Sequence, residues 1–81
     1  MARVILLPPF AGDYFGGRAE MEVEAGNLFA LVRALEAQAP GFAEAVEGGA
    51  AIAIGGVVTG DWTTALSAED EVMFVPKVAG G

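Results

Sequence analysis

Two residue types are missing altogether from this chain of 81 residues: it has neither cysteine nor histidine. Without cysteine there is no disulfide, no thiolate nucleophile and no thiolate-built metal centre, so stability comes from packing, as suits a reducing compartment. Without histidine the zinc sites and Ser-His triads that need imidazole are excluded, and Ser67, the only serine, has no imidazole base to activate it. Positive charge is scarce as well: Arg3, Arg18, Arg33 and Lys77 stand scattered against eleven acids, for a net charge of −7. Neutralising phosphates takes Lys and Arg, so no nucleic-acid partner is expected. An acidic chain is suited instead to basic protein surfaces and is steered toward them. No apolar run approaches the roughly 20 residues that a membrane span needs. Met1-Ala2-Arg3-Val4 leads directly into a strand pattern, without the apolar core of a signal peptide. A cytoplasmic protein with no membrane partner is the expectation. Carboxylate pairs remain open, but eleven acids on a small surface are mostly solvated charge. The inventory is poor for an enzyme acting alone, and no bound cofactor is expected.

What remains is apolar, 54% of the residues, and rich in glycine, with 12. A chain of this length makes one domain, residues 1–81, that buries about 60–65% of its unfolded surface. Arg3 to Leu7 is β-branched and leucine-rich, the pattern of a central strand closed by Pro8-Pro9. Residues 8–17 read as a loop holding Phe10, Tyr14 and Phe15. Phe10 is expected to cap the core, while Tyr14 and Phe15 suit core and partner surface equally. Glu20 to Glu24 alternates strictly, giving a strand with an acidic outer face that guards an exposed edge. Asn27 suits the N-cap of a helix that Pro40-Gly41 stops, with Leu28, Leu31, Val32 and Leu35 on one stripe. Phe42 to Val46 is expected to add a further turn before loose Gly48-Gly49. Ala51 to Ile54 and Val57-Val58 read as a hairpin about Gly55-Gly56. That glycine pair lacks the following helix and lysine of a phosphate loop. Thr59 to Thr64 is irregular, and Leu66 is expected to tuck a loop under the sheet.

The chain closes on Asp70 to Gly81, DEVMFVPKVAGG. Val72-Met73-Phe74-Val75 is apolar at every position, which predicts a strand buried on both faces in the middle of a sheet. Pro76 lacks an N–H and fixes its own φ, so pairing is expected to end there. A flexible tail, residues 77–81, follows. Extended, it spans at most roughly 16–18 Å, enough to reach into a deep pocket of another protein. Gly80 and Gly81 carry no side chain, so the end can enter a slot that any Cβ would block. The order strand, strand, helix, short strands, strand is that of an α+β, β-grasp (ubiquitin-like) fold. Its mixed sheet has the first and last strands parallel in the centre, packed on one main helix, with the right-handed crossover that sheets require.

Asp70-Glu71-Val72, Phe74-Val75-Pro76 and Val78-Ala79-Gly80-Gly81 resemble the C-terminal motif of the MoaD/ThiS ubiquitin-like sulfur carriers. The molybdopterin synthase small subunit is the nearest member. The specific motif covers only the final dozen residues, while strand order and helix position agree over essentially the whole chain. Two positions depart: the family usually has a second proline where Lys77 stands and a glycine where Glu69 stands. The resemblance implies that the Gly81 carboxylate, with Gly80 beside it, is adenylated by a ubiquitin-activating-type adenylyltransferase that consumes ATP. A sulfur donor protein then supplies the sulfur of a C-terminal thiocarboxylate. It further implies delivery to a pterin precursor inside the molybdopterin synthase large subunit, in a heterotetramer. Phe74, Pro76, Val78 and Ala79 would form the docking patch, on an apolar face rimmed by acids. Sulfur carriage for thiamine, cysteine or tRNA thiolation, and attachment to target lysines as a ubiquitin-like modifier, are the alternatives. A β-grasp interaction domain with an inert tail is the third reading.

Overall fold

A computed structural model describes residues 1–77. Five strands form one mixed sheet in the order β2-β1-β5-β3-β4: β1 Ala2–Leu6, β2 Glu20–Val23, β3 Ala50–Ile54, β4 Val57–Thr59 and β5 Glu71–Pro76. β1 and β5 run parallel near the centre, and the other pairings are antiparallel. The ubiquitin-like β-grasp order is the one the apolar first and last strands led us to expect.

The helices all lie against one face of the sheet. Ala2, Val4 and Leu6 of β1, Met21 and Val23 of β2, Val72 and Phe74 of β5, and Ala50 and Ile52 of β3 turn their side chains into the same buried cluster. α2, Leu28–Gln38, seats Leu28, Leu31, Val32 and Leu35 there. Burying each of these side chains contributes about 1.5–3 kcal/mol before the entropy of ordering it. The start of α2 is tied down by three acceptors. Asn27 Oδ1 accepts from Ala30 N–H (2.8 Å), Thr64 O from Leu28 N–H (3.0 Å) and Trp62 O from Phe29 N–H (2.8 Å). The stretch that sequence reads as irregular therefore supplies carbonyl acceptors for N–H groups that a helix N-terminus leaves without partners.

Three local expectations need correction. Residues 8–17 are not all loop, because α1, Phe10–Tyr14, is helical. Five residues with Gly12 inside have no helical stability of their own; packing supplies it, with Phe10 and Ala11 buried. Tyr14 and Phe15 resolve toward the core, each edge-on to Phe42 at 5.6 and 5.4 Å. Phe42–Gly49 is a full helix, α3, rather than one turn, since Phe42 and Val46 sit four residues apart on a buried stripe. Finally, β5 is not buried on both faces. Val72 and Phe74 are fully buried, but Met73 and Val75 are half-buried, because no helix among the described residues covers the other side of the sheet.

The turn from α2 into α3 uses Gly41 at φ +98°, a backbone that L side chains rarely adopt. Glu36 caps α3 across that turn: its carboxylate accepts from Gly41 N–H at 3.0 Å and Ala43 N–H at 2.9 Å. The Ala43 bond, then the Gly41 bond, holds the Glu36 carboxyl below its ordinary range. The folded value lies below the unfolded one, so this contribution is complete above about pH 4.5 and fades as pH falls through the folded value. Glu36→Gln should lower the urea midpoint at pH 7 and converge on the unmodified chain in acid. An equal gap at both ends of a pH series of urea melts would show that the charge is irrelevant.

Candidate functional site

β5 carries the chain to the tail, and its two neighbours release it at different places. On the β1 side, Arg3 N–H donates to Asp70 O (2.9 Å) and Leu7 N–H to Phe74 O (3.0 Å). The next bond would run from residue 76 to the Leu7 carbonyl. Pro76 has no N–H to give, and that carbonyl instead accepts from Phe10 N–H at 3.0 Å. On the β3 side the ladder continues. Ala50 pairs with Pro76, and Lys77 N–H donates to Gly49 O at 2.9 Å. Proline therefore ends only the parallel half of the pairing, a correction to the expectation that it ends both. Odd-numbered residues of β5 bond toward β3, so Pro76 can sit in the strand without leaving a β3 acceptor orphaned.

Of the residues expected to dock a partner, Phe74 is displaced. Its side chain is 0% exposed and stands edge-on to Phe42 at 5.5 Å, so it belongs to the core and lines no surface. Side chains alternate along a strand, and Val72 and Phe74 take the helix side. Pro76 shares that parity and is half-buried. Val78, Ala79, Gly80 and Gly81 lie outside the described residues.

The opposite parity builds a different surface. Ile5, Met73, Ala53 and Val58 are direct cross-strand partners in one row over four strands, on the face without helices. Val75 and Ala51 form the next row. Val58 is 70% exposed and the others half-buried, so the rows make an open apolar band. Glu20, Glu22 and Glu71 share the parity of this face and stand at its β2 side and strand ends. Arg3, the cation among them, is paired with Glu20. Met73 and Val75 are surface residues that the sequence alone did not lead us to expect. The signal was available: helical segments enough to cover one face leave the other to the odd positions of β5.

Nothing in this arrangement supports catalysis by the described side chains. Of the carboxyls with shifted proton affinity, Glu36 and Asp61 are both held low. Asp61 is held by Thr63, through its hydroxyl at 2.6 Å and its N–H at 2.9 Å. A general acid at neutral pH needs the opposite shift. Among the described residues no group of three Asp and Glu could hold a metal. A cleft of about 370 Å³ opens beside the tail root between α3, β3 and Trp62, and Glu47 and Lys77 are its only ionisable lining groups among the described residues. No helix among the described residues is long and apolar enough to cross a membrane.

Comparison with solved structures returns the same architecture. CysO from Mycobacterium tuberculosis superposes with a TM-score of 0.84 at 20% identity, covering 96% of this chain and all of that one. A chain of the BexX/CysO complex of Amycolatopsis orientalis gives 0.83 at 16% identity, with each chain covered fully. A chain of the complex of subunits 1 and 2 of the molybdopterin-converting factor from Helicobacter pylori gives 0.70 at 25% identity, covering 99% and 97%. Two of these structures are complexes with a protein partner. No curated protein sequence matches the chain. The model of the ThiS family matches residues 13–81, all but β1, the turn after it and the start of α1, and on that match the chain belongs to the ThiS family, among the ubiquitin-like sulfur carriers.

Proposed function

We propose that the chain is the sulfur-carrying small subunit of a molybdopterin synthase, with the Gly81 carboxylate as its reactive group. The observation that carries this reading is the tail root. The last strand of the core ends at Pro76, and the family match continues from it through residue 81. A free carboxylate is a poor electrophile, because its leaving group is oxide. Attack of a carboxylate oxygen on the α-phosphorus of ATP expels pyrophosphate and leaves an acyl adenylate. Sulfide sulfur then attacks the acyl carbon and expels AMP, and the terminus becomes a thiocarboxylate. A ubiquitin-activating-type adenylyltransferase performs the first step and a sulfur donor protein feeds the second.

The helix-free face, with its apolar rows and its glutamates, suits docking to both the activating enzyme and the synthase large subunit. Apolar contact there gives affinity, and the acidic edge raises the encounter rate with a basic partner. The molybdopterin assignment leans on the 25% identity to the Helicobacter pylori complex. Likeness to CysO keeps other sulfur recipients as the second reading.

The test is intact-mass spectrometry of the full chain after incubation with ATP, the activating enzyme and the sulfur donor. Exchange of one oxygen for sulfur at Gly81 is expected, followed by its reversal when the large subunit and pterin precursor are added. Unchanged mass would leave an inert interaction domain. Higher-mass adducts on denaturing gels would point to a protein modifier. Sulfur loading without consumption of the pterin would move the carrier to another pathway.

A further inference from the structure

The hydrogen bond from Lys77 N–H to Gly49 O stands where the sulfur carriers usually have a second proline, with no N–H to give, and the role inferred for it in this chain rests on the carrier reading. We infer that the backbone N–H of Lys77 is a positioning group. It holds the chain against β3 one residue beyond Pro76 and fixes the heading on which the tail departs. Pro76 has already let go of β1, so this single bond of 2.9 Å is the last ladder contact among the described residues. Its acceptor is the final residue of α3, whose Phe42 and Val46 are fully buried, so the anchor point belongs to the core. Four residues, 78–81, follow Lys77, and a chain of that length reaches at most about 13–14 Å. A partner meets a tail whose first residue is already ordered, and pays nothing to order it on binding.

The Lys77 side chain is exposed and takes no part in the bond, which allows the donor to be removed separately from the charge. Lys77→Ala keeps the N–H. Lys77→Pro deletes it and puts a ring carbon where the hydrogen pointed at Gly49 O, which turns the chain away from β3. With the activating enzyme, Lys77→Pro is expected to raise KM for the carrier about three- to ten-fold, the weight of one backbone hydrogen bond. Its kcat should stay within about two-fold, because the bound tail reacts as before. Lys77→Ala should match the unmodified chain in both constants. Hydrogen exchange of the unmodified protein should show the Lys77 amide at least about ten-fold slower than in a free peptide. Equal KM for the proline and alanine variants, whether both normal or both raised, would overturn the inference, and so would an unprotected Lys77 amide. Urea melts of Lys77→Pro must match the unmodified chain for the kinetics to count; if they do not, the exchange result alone decides. An unmodified chain that never acquires sulfur defeats the carrier reading instead, and the exchange measurement still decides whether the anchor exists.

Discussion

A chain lengthened by a single alanine after Gly81 is expected to lose sulfur loading by at least about 100-fold while melting in urea like the unmodified protein. The extension turns the Gly81 carboxylate into an internal amide, which has no free oxygen to attack ATP. The new carboxylate stands one residue further on, displaced by about 3.3–3.6 Å and carrying a Cβ. A misplacement of even about 1 Å costs on the order of 100-fold in a positioned reaction. Stability should be untouched, because the buried cluster ends at Phe74 and the last ladder bond among the described residues is at Lys77. Intact-mass kinetics on both chains, read beside their urea curves, checks the two halves together. Loading of the extended chain at the normal rate would show that the terminal glycine is not where the sulfur goes.

How far the sequence carried this picture depends on whether each element signals through its own residues or through its neighbours. β2, α2 with its Asn27 cap, and the hairpin at Gly55-Gly56 announce themselves locally, by alternation, by a stripe and by a turn whose glycines both take positive φ. The parallel centre of the sheet was legible because its two strands are the most uniformly apolar. α1 and the length of α3 were not, since glycines within them argue against helix and only tertiary packing overrides that. The site divides the same way. The tail is written in the last residues, but the docking surface is a matter of parity. An unbroken apolar run such as Val72 to Val75 hides which side chains face the helices. Only the assembled sheet assigns Phe74 to the core and Met73 and Val75 to the open face. Glu36 was likewise invisible as a cap. Its partners lie five and seven residues ahead, beyond a Pro-Gly break, a spacing that no helix-start rule contains.

Phe42→Ala is expected to be the most damaging truncation in the chain, at about 3–5 kcal/mol. Phe42 is 0% exposed and meets four other rings edge-on, Phe10, Tyr14, Phe15 and Phe74, with centroids 5.4–6.4 Å away. Each such pair contributes about 0.5–1.5 kcal/mol beyond the area it buries. A domain of 81 residues holds roughly 4–12 kcal/mol in all, so the variant keeps little or no margin. Phe29→Ala makes the comparison: Phe29 is 49% exposed, against Trp62 and Arg33, and should cost on the order of 1 kcal/mol or less. Urea melts of the two variants check the ranking, and a similar loss in both would mean that the ring cluster is not the centre of the fold. Phe42 also ties this core to the tail, because Phe74 packs on it two residues before the proline. Sulfur loading by Phe42→Ala should therefore fail at temperatures where the variant unfolds and return, with native circular dichroism, wherever it is folded. The lengthened chain behaves in the opposite way, folded wherever the unmodified chain is folded and unloaded at all of those temperatures. Together the two variants separate the strand that holds the tail from the carboxylate that does the chemistry.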